Sequence, residues 1–147
     1  MKNPDKHIRK AFSDALSDLE VTNPYNSDEV SIPLSDFRIP QNKDFYILMT
    51  NQWTMPRYDS KCDKYSWTCG ITLDIVTKFA NYQGSRLFAD EIKEAVMNLT
   101  EDLTIENFNK QRQDWNFPDD LEMMTSTENI YRKIIQYEFE LTEELSL

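Results

Sequence analysis

Few residues of this chain have the types and spacing that catalysis requires. The sequence contains one histidine, His7, and two cysteines, Cys62 and Cys69. Structural zinc sites use cysteine pairs separated by about two to four residues, so these cysteines are too far apart to form such a pair. Cys69 lies on the apolar side of a predicted strand, which favours a buried, unreactive thiol over a nucleophile. Because a Cys–His pair is formally present, a cysteine-dependent enzyme stays among the hypotheses.

Carboxylates are abundant, but their positions do not identify a catalytic or metal site. Adjacent acidic pairs occur at Asp90-Glu91, Glu101-Asp102 and Asp119-Asp120. These pairs fall on predicted loops and helix surfaces, where solvated charge is the usual explanation. The sequence has no calcium-loop motif. With two glycines, Gly70 and Gly84, it also has no glycine-rich phosphate loop. We therefore expect a protein that is not an enzyme and holds neither a metal nor a cofactor.

Two charged segments are better candidates for a functional surface, and the first is basic. The predicted hairpin loop 55–64 carries three cations in an otherwise acidic chain and lies beside aromatic residues. Its candidate contact residues, including one that precedes the loop, are Trp53, Arg57, Tyr58, Lys61 and Lys64. Arginine and aromatic side chains are enriched at protein–protein interfaces, so the combination predicts a subunit contact. An ordinary solvated loop accounts for the same residues equally well.

The second segment is acidic and lies near the end of the sequence. It contains four glutamates and no cation: Glu138, Glu140, Glu143 and Glu144. One interpretation is a solvated strand edge whose charge prevents unwanted strand pairing. The other is a contact edge for a basic partner. Because one molecule carries both charges, the basic loop of one subunit and the acidic segment of the next are predicted to form head-to-tail contacts.

Composition limits the classes of partner. The 147 residues include 16 Lys and Arg against 26 Asp and Glu, a formal net charge of −10. General binders of nucleic acids or anionic membranes need an excess of cations, so this charge argues against both. The first ten residues are polar and charged, and no apolar run approaches the ~20 residues of a membrane span. We expect a soluble chain, made in a cytoplasm, with reduced thiols.

Hydrophobic periodicity predicts the elements that position these residues. Apolar residues at helical spacing predict helices over residues 8–19 and 85–99, with Asn3 or Asp5 as the cap of the first. Alternating or aromatic-rich runs predict strands over residues 44–54, 65–79, 121–125 and 130–141. The segment 22–43 contains three prolines and is predicted to be a long irregular connection. Residues 100–118 show only enough pattern for a short strand or turn.

The same patterns predict which side chains face the core. One face of the first strand carries Phe45, Ile47, Met49 and Trp53. One face of the second carries Trp67, Cys69, Ile71, Leu73, Ile75 and Phe79. The inward residues of the last strand are Tyr131, Ile135, Tyr137, Phe139 and Leu141. We therefore expect a single α+β domain over residues 1–147, with a largely antiparallel sheet of about four to five strands and two helices packed on one face.

Several of these stretches, taken in order, resemble one protein family. Ile39-Pro40 and Phe45-Tyr46-Ile47-Leu48 stand where tail-completion and tail-terminator proteins of tailed bacteriophages have V-P-x-x-x-x-F-P-Y-V-x-I, which opens their first sheet strand. The stretch Trp67–Phe79 and the helix Arg86–Leu99 follow, and the helix matches A-x-x-I-x-x-x-V-x-x-x-L at Ala89, Ile92, Val96 and Leu99. The closing hairpin 121–141 is similar to the family's final strand pair. Asp44 departs from the family, which usually has a proline there.

The resemblance implies a structural virion protein, a ring-forming subunit at the phage head–tail junction or tail end. Such a subunit would act as a connector, tail-completion or tail-terminator protein, in a sixfold or twelvefold ring beside other neck, portal or tail proteins. It implies neither a cofactor nor catalysis, and genome DNA would pass an acidic inner face without specific binding. The competing hypothesis is a small acidic inhibitor or DNA mimic that binds a basic host enzyme.

Overall fold

The structure is a computed structural model, and it describes residues 1–41, 43–57, 65–80, 85–125 and 127–144. The helices and strands in these ranges are α1 Pro4–Ala15, β1 Glu20–Thr22, β2 Glu29–Ser31, β3 Leu34–Asp36, β4 Phe45–Arg57, β5 Ser66–Phe79, α2 Ser85–Thr100, β6 Phe108–Asn116, β7 Leu121–Met124 and β8 Asn129–Glu143. The predicted α+β class is confirmed.

Local sequence determines where α1 begins and ends. The Asn3 side chain accepts a hydrogen bond from the N–H of Asp5 at 3.0 Å, and a proline occupies the first helical turn, where no N–H donor is required. Leu16 is the C-cap, and Asp18 has a left-handed φ of 56°, which a helix does not accommodate. The predicted continuation to Leu19 is therefore wrong. The helix buries an apolar stripe formed by Ile8, Ala11 and Phe12.

The main sheet contains more strands than predicted. Within the described ranges six strands are joined, in the order β3-β4-β5-β8-β6, and β7 also pairs with β8. β5 pairs along almost the whole of β8, whereas β6 pairs with residues 136–143 and β7 with residues 129–132. Every pair is antiparallel except β3–β4. The prediction of about four to five strands is too low, and β1 and β2 form a separate small sheet.

The hydrophobic core lies between the two helices and one face of the main sheet. The helices contribute Phe12, Phe88, Ile92 and Val96, and the strands contribute Cys69, Ile71, Leu73, Ile75, Ile135, Tyr137, Phe139 and Leu141. This arrangement confirms the predicted inward faces of β5 and β8. Full burial of one large apolar side chain contributes about 1.5–3 kcal/mol, so this layer is the main source of stability.

Two segments predicted to be connections contain strand residues, and a third, predicted to hold a short strand or turn, contains a full strand. The long connection 22–43 includes β2 and β3, and residues 55–57 of the predicted hairpin loop continue β4. The weakly patterned segment 100–118 includes all of β6. β6 lacks an apolar pattern because Gln113 takes a core-side position, where its amide nitrogen donates to the carbonyl oxygen of Thr100 at 2.7 Å. Gln113 thus satisfies a carbonyl oxygen at the C-terminal end of α2. It does so from a position where the alternation of a strand would place an apolar residue.

A bulge in β4 reverses the faces of the residues that follow it. Asn51 and Gln52 together oppose a single residue of β5, Ile71. Asn51 has a left-handed φ of 46°, a conformation that asparagine tolerates better than most residues. The extra residue shifts the strand's alternation by one position. Trp53 therefore lies on the face opposite to the core residues of β4, and its predicted position beside Phe45, Ile47 and Met49 is wrong.

The bulge also attaches α1 to the sheet. Gln52 accepts a hydrogen bond from Arg9 Nη1 at 2.6 Å, and its amide nitrogen donates to the carbonyl oxygen of Asp5 at 2.9 Å. The Thr54 hydroxyl donates to the carboxylate of Asp5. These bonds satisfy polar groups near the start of the helix, and they fix the helix against the strand that carries Trp53.

Candidate functional site

The face of the sheet opposite the helices, here called the open face, brings most of the described contact candidates together. Its positions on the outer strands are Trp53, Met55 and Arg57 of β4, and Arg112, Asp114 and Asn116 of β6. Its positions on the central strands are Thr68, Gly70, Thr72, Asp74 and Val76 of β5, and Arg132, Ile134, Gln136, Glu138 and Glu140 of β8. The alternation of side chains along each strand determines this membership.

Trp53 lies over β5 because its neighbour on that strand has no side chain. A Cβ atom placed on Gly70 would lie 2.1 Å from Trp53 Nε1 and 2.3 Å from Trp53 Cε2. No residue with a Cβ atom permits this contact without movement of the indole. Trp53 is 43% exposed, so the ring packs against the strand on one side and presents apolar surface to solvent on the other.

A network of ion pairs extends across one end of the open face. Glu140 forms ion pairs with two arginines, with Oε2 at 3.2 Å from Arg57 Nη1 and Oε1 at 3.2 Å from Arg112 Nη2. Arg112 also contacts Glu138 at 2.9 Å and Asp114 at 2.5 Å. Single exposed ion pairs contribute about 0–1 kcal/mol. The network therefore matters less for stability than for fixing the charged groups in one arrangement across β4, β8 and β6.

A partly buried ion pair and a small apolar cluster occupy the other end of the open face. Both carboxylate oxygens of Asp74 accept from Arg132 Nε, at 3.2 and 3.0 Å. These hydrogen bonds raise the pKa of Arg132. The side chain of Asp74 is almost fully buried, so the pair compensates a charge that would otherwise be costly. Beside it lies a second apolar cluster formed by Tyr46, Leu48 and Val76, with Ile130 packed against it.

A shallow groove of about 300 Å³ crosses the middle of the open face between Trp53 and β6. Its polar lining includes Asn51, Thr72, Asn116 and Gln136. The Asn116 amide donates to the Gln136 side chain at 3.2 Å, so part of the lining is held by its own hydrogen bonds. The lining also includes Trp53, Trp115, Asp114 and Glu138, so the groove combines aromatic, amide and carboxylate residues.

The structure brings together the two charged segments that the sequence singles out. Arg57, from the predicted basic loop, pairs with Glu140, from the predicted acidic edge, within one chain. The description of Glu138 and Glu140 as a strand edge is wrong, because β8 has β5 on one side and β6 on the other. Their charge is balanced by arginines on neighbouring strands. We find here a mixed-charge surface in place of an acidic edge.

The remaining contact candidates lie elsewhere or outside the described residues. Glu143 accepts a hydrogen bond from the backbone N–H of Lys2 at 3.1 Å, and its carboxylate lies 3.7 Å from the N-terminal amine of Met1. The backbone N–H of Glu144 donates to the carbonyl oxygen of Asn107 at 3.0 Å. The predicted contact residues outside the described residues are Tyr58, Lys61 and Lys64.

Two of the residues considered for catalysis, Cys69 and His7, lie among the described residues. Cys69 is fully buried in the core, and burial raises the pKa of its thiol to about 12. Burial and the neighbouring Lys6 lower the pKa of His7, whose ring lies 5.7 Å from that of Phe108. Cys62 is outside the described residues. Among the residues that the structure describes, no group of three or more metal-binding side chains lies together. Nor is any helix in these ranges long and apolar enough to cross a membrane.

Sequence reasoning missed a buried lysine on the helix side of β8. Lys133 Nζ lies 2.8 Å from Asp90 of α2 and 2.8 Å from Asp120 of the β6–β7 connection. Burial lowers the pKa of Lys133, but hydrogen bonds to these carboxylates outweigh it and raise the pKa. The sequence does carry a signal for this site. Lys133 lies between Tyr131 and Ile135 in the alternation of β8, so its side chain points to the core side of the sheet. A cation at such a position requires an acidic partner within reach of its amine.

The fold is similar to one found in a known particle. A chain in the structure of the virion of a native gene transfer agent (GTA) particle matches this chain with a TM-score of 0.52 and 11% sequence identity. The match covers 73% of this chain and 78% of that chain. At this identity the likeness shows a shared fold. No protein-family model matches the sequence, and no curated protein matches it.

Proposed function

We propose that this chain is a structural protein of a phage-like virion, placed at the head–tail junction or at the end of the tail. The observation that carries the proposal is the likeness in fold to a chain of the gene transfer agent virion, over 73% of this chain. The resemblance of its sequence pattern to tail-completion and tail-terminator proteins supports the same class of particle. In this role the chain is made in the host cytoplasm and then joins the virion.

The open face supports a role in assembly. It combines exposed Trp53 and Met55 with the arginine–glutamate network, and aromatic, methionine and arginine side chains are enriched in protein interfaces. In the proposed particle the copies form a ring with other neck, portal or tail proteins as neighbours. The net charge of −10 disfavours retention of the DNA that passes through such a ring. The role requires neither a cofactor nor a reaction.

The composition of purified particles tests this proposal. We expect mass spectrometry of density-purified particles to detect the chain, and electron microscopy to show it as a closed ring at the neck or tail end. An early stop codon in its reading frame should yield heads and tails that fail to join or tails of irregular length. A synonymous substitution at the same codon is the matched control. Particles that lack the chain yet are complete would contradict the proposal.

The same experiment separates the competing function. A small acidic inhibitor of a basic host enzyme is favoured by one observation, the net charge of −10. Such an inhibitor would be absent from particles and would bind a nuclease or polymerase with an affinity that falls steeply as salt rises. The inhibitor hypothesis would be excluded if the chain were present in particles and showed no salt-dependent binding to such an enzyme.

A further inference from the structure

Two exposed apolar segments lie at opposite edges of the main sheet. The β3–β4 segment, residues 37–41 and 43, follows the edge strand β3, and in it Phe37 is 75% exposed and Ile39 is 61% exposed. The β7 segment, residues 119–125 and 127–128, includes Leu121 and Met123, which are 46% and 60% exposed. Large apolar side chains that share one surface at this level of exposure mark sites where another molecule binds.

The β4 end of the β3–β4 segment lies at the same level along the strands as the β7 segment, whereas Phe37, at its other end, donates its N–H to the carbonyl oxygen of Met49 at 3.1 Å. The N–H of Lys78 donates to the carbonyl oxygen of Asp44 at 2.8 Å, next to the β3–β4 segment. Lys78 pairs with Ile130 on β8, and Ile130 pairs with Met123 on β7. This row crosses the sheet from one segment to the other over three strand spacings, about 14 Å. A copy placed beside this one in the plane of the sheet would therefore bring its β7 segment to the level of the β4 end of the β3–β4 segment.

The charges carried within the two segments are opposite in sign; two acids border the β3–β4 segment, Asp36, which lies 3.6 Å from Arg9, and Asp44. The β3–β4 segment carries two cations and no acid, Arg38 and Lys43, whereas the β7 segment carries four acids and no cation: Asp119, Asp120, Glu122 and Glu128. Asp120 is occupied by Lys133. Among the described residues the other five charged groups form no ion pair within the chain, so they are available to a second copy. Pairing of either segment with itself would bring like charges together.

We propose that the β7 segment of one copy binds the β3–β4 segment of the next copy, head to tail. Apolar side chains form the centre of this contact, and Arg38 and Lys43 meet the carboxylates of the β7 segment around it. Because the two surfaces differ, each added copy leaves one of each free, and the contact repeats until a ring closes. The inference deepens the proposed function and rests on it, since it names the subunit contact of the proposed ring.

Paired variants test the contact by sedimentation velocity. The variant Phe37→Ser/Ile39→Ser and the variant Leu121→Ser/Met123→Ser each lose one surface and keep the other. We expect each alone to be monomeric and their equimolar mixture to form a 1:1 heterodimer, because one intact contact remains between them. Leu87→Ser, which removes an apolar side chain of α2 that is also 46% exposed, is the matched control and should retain the wild-type assembly.

Charge reversal provides a second test that does not depend on removing apolar surface. Arg38→Glu and Glu122→Arg should each weaken assembly at least tenfold, and the chain that carries both should regain it. Circular dichroism confirms that every variant is folded. A wild-type chain that is monomeric at about 100 μM, single variants that retain its size, or a mixture that stays monomeric would overturn the contact. None of these results changes whether the chain is found in particles, so failure of the contact and failure of the proposed function are distinguishable.

Discussion

At the scale of single residues, the contact between Trp53 and Gly70 predicts an unusually costly small substitution. Gly70→Ala introduces a Cβ atom where the indole lies, at 2.1 Å from Nε1, so the ring must leave the strand. We expect the free energy of unfolding to fall by about 1–3 kcal/mol, the usual cost of overpacking, as measured by urea denaturation.

The control for this prediction is the same substitution in a chain that lacks the indole. In a Trp53→Ala background the three atoms nearest to the new Cβ are removed. Gly70→Ala should then be neutral or stabilising, because glycine within a strand is unfavourable by about 0.5–1 kcal/mol relative to alanine. An equal loss of stability in both backgrounds would show that the indole is not what excludes a side chain at this position.

Two buried acids give the core a pH dependence at alkaline pH. Burial raises the pKa of the Cys69 thiol from 9.0 to about 12, and burial raises the pKa of the Tyr137 hydroxyl from 10.0 to about 12. Above pH 9.0 for the thiol and pH 10.0 for the hydroxyl, the unfolded chain loses these protons while the folded chain keeps them. The unfolded state then binds fewer protons, so the free energy of unfolding decreases as pH rises towards about 12.

Urea denaturation over this pH range measures the contribution of Cys69. In a Cys62→Ser background, which removes the other thiol, we expect Cys69→Ala to reduce stability at neutral pH but to make its decline above pH 9.0 shallower. A decline with the same slope in both chains would contradict a buried, protonated Cys69. The thiol should also react with an aromatic disulfide reagent only when the chain unfolds.

At the scale of elements, the sequence predicts what alternation and helical spacing encode. β5, β8 and both helices follow from their apolar periods, since each presents one continuous apolar face to the core. β6 could not be predicted, because its core-side Gln113 is satisfied by backbone groups that only the folded chain brings to it. The position of Trp53 could not be predicted either, because a bulge depends on pairing with the neighbouring strand and leaves no periodic signal.

The bulge predicts that Gln52 links α1 to the sheet. Gln52→Ala removes the hydrogen bonds to Arg9 Nη1 and to the carbonyl oxygen of Asp5, at 2.6 and 2.9 Å. We expect a loss of about 1–2 kcal/mol in the free energy of unfolding, together with faster amide exchange in the first turns of α1. Gln111→Ala, at the exposed bulge of β6, is the matched control and should change neither quantity. Equal effects of the two substitutions would contradict this link.

Buried Lys133 of β8 forms ion pairs with α2 and with the β6–β7 connection. We expect the stabilisation from these ion pairs to depend on pH in the acidic range. Burial raises the pKa of Asp120, but hydrogen bonds from Lys133 and Tyr131 outweigh it and leave the pKa below the ordinary 3.8. The stabilisation is therefore present above pH 3.8 and is lost as pH falls through the lowered pKa. Lys133→Met should reduce the free energy of unfolding by about 1–3 kcal/mol at neutral pH. The reduction should be smaller at a pH below the lowered pKa of Asp120, where the carboxylate is protonated.

Thermal unfolding at several pH values measures this difference. Lys6→Met, which removes one exposed cation from α1, changes the net charge by the same amount and is the control. If the cost of Lys133→Met did not decrease as the solution became more acidic, the carboxylates would not be the reason that the lysine is buried.

At the scale of the whole molecule, the charge balance predicts how the chain treats DNA. With a net charge of −10 and its open-face arginines paired to carboxylates, the chain has no broad cationic surface among its described residues. We expect no binding to a labelled DNA duplex by fluorescence anisotropy at about 150 mM salt. A variant with exposed Glu91 and Glu94 of α2 changed to Lys is the positive comparison. Binding of DNA by the wild-type chain would contradict the proposal that DNA passes through the ring without being retained.

The central position of β8 determines the order in which the molecule can fold. The closest paired residues of β5 and β8 are Phe79 and Asn129, with 49 residues between them, and β8 is the last of the sheet strands to be synthesised. Until it arrives, the β4–β5 hairpin has an unpaired edge, and neither β6 nor β7 has a partner. Closure of so long a loop is slow compared with hairpin formation. Before β8 pairs, the free edge of β5 is a template for pairing with another copy, so insertion of β8 also protects the chain from aggregation.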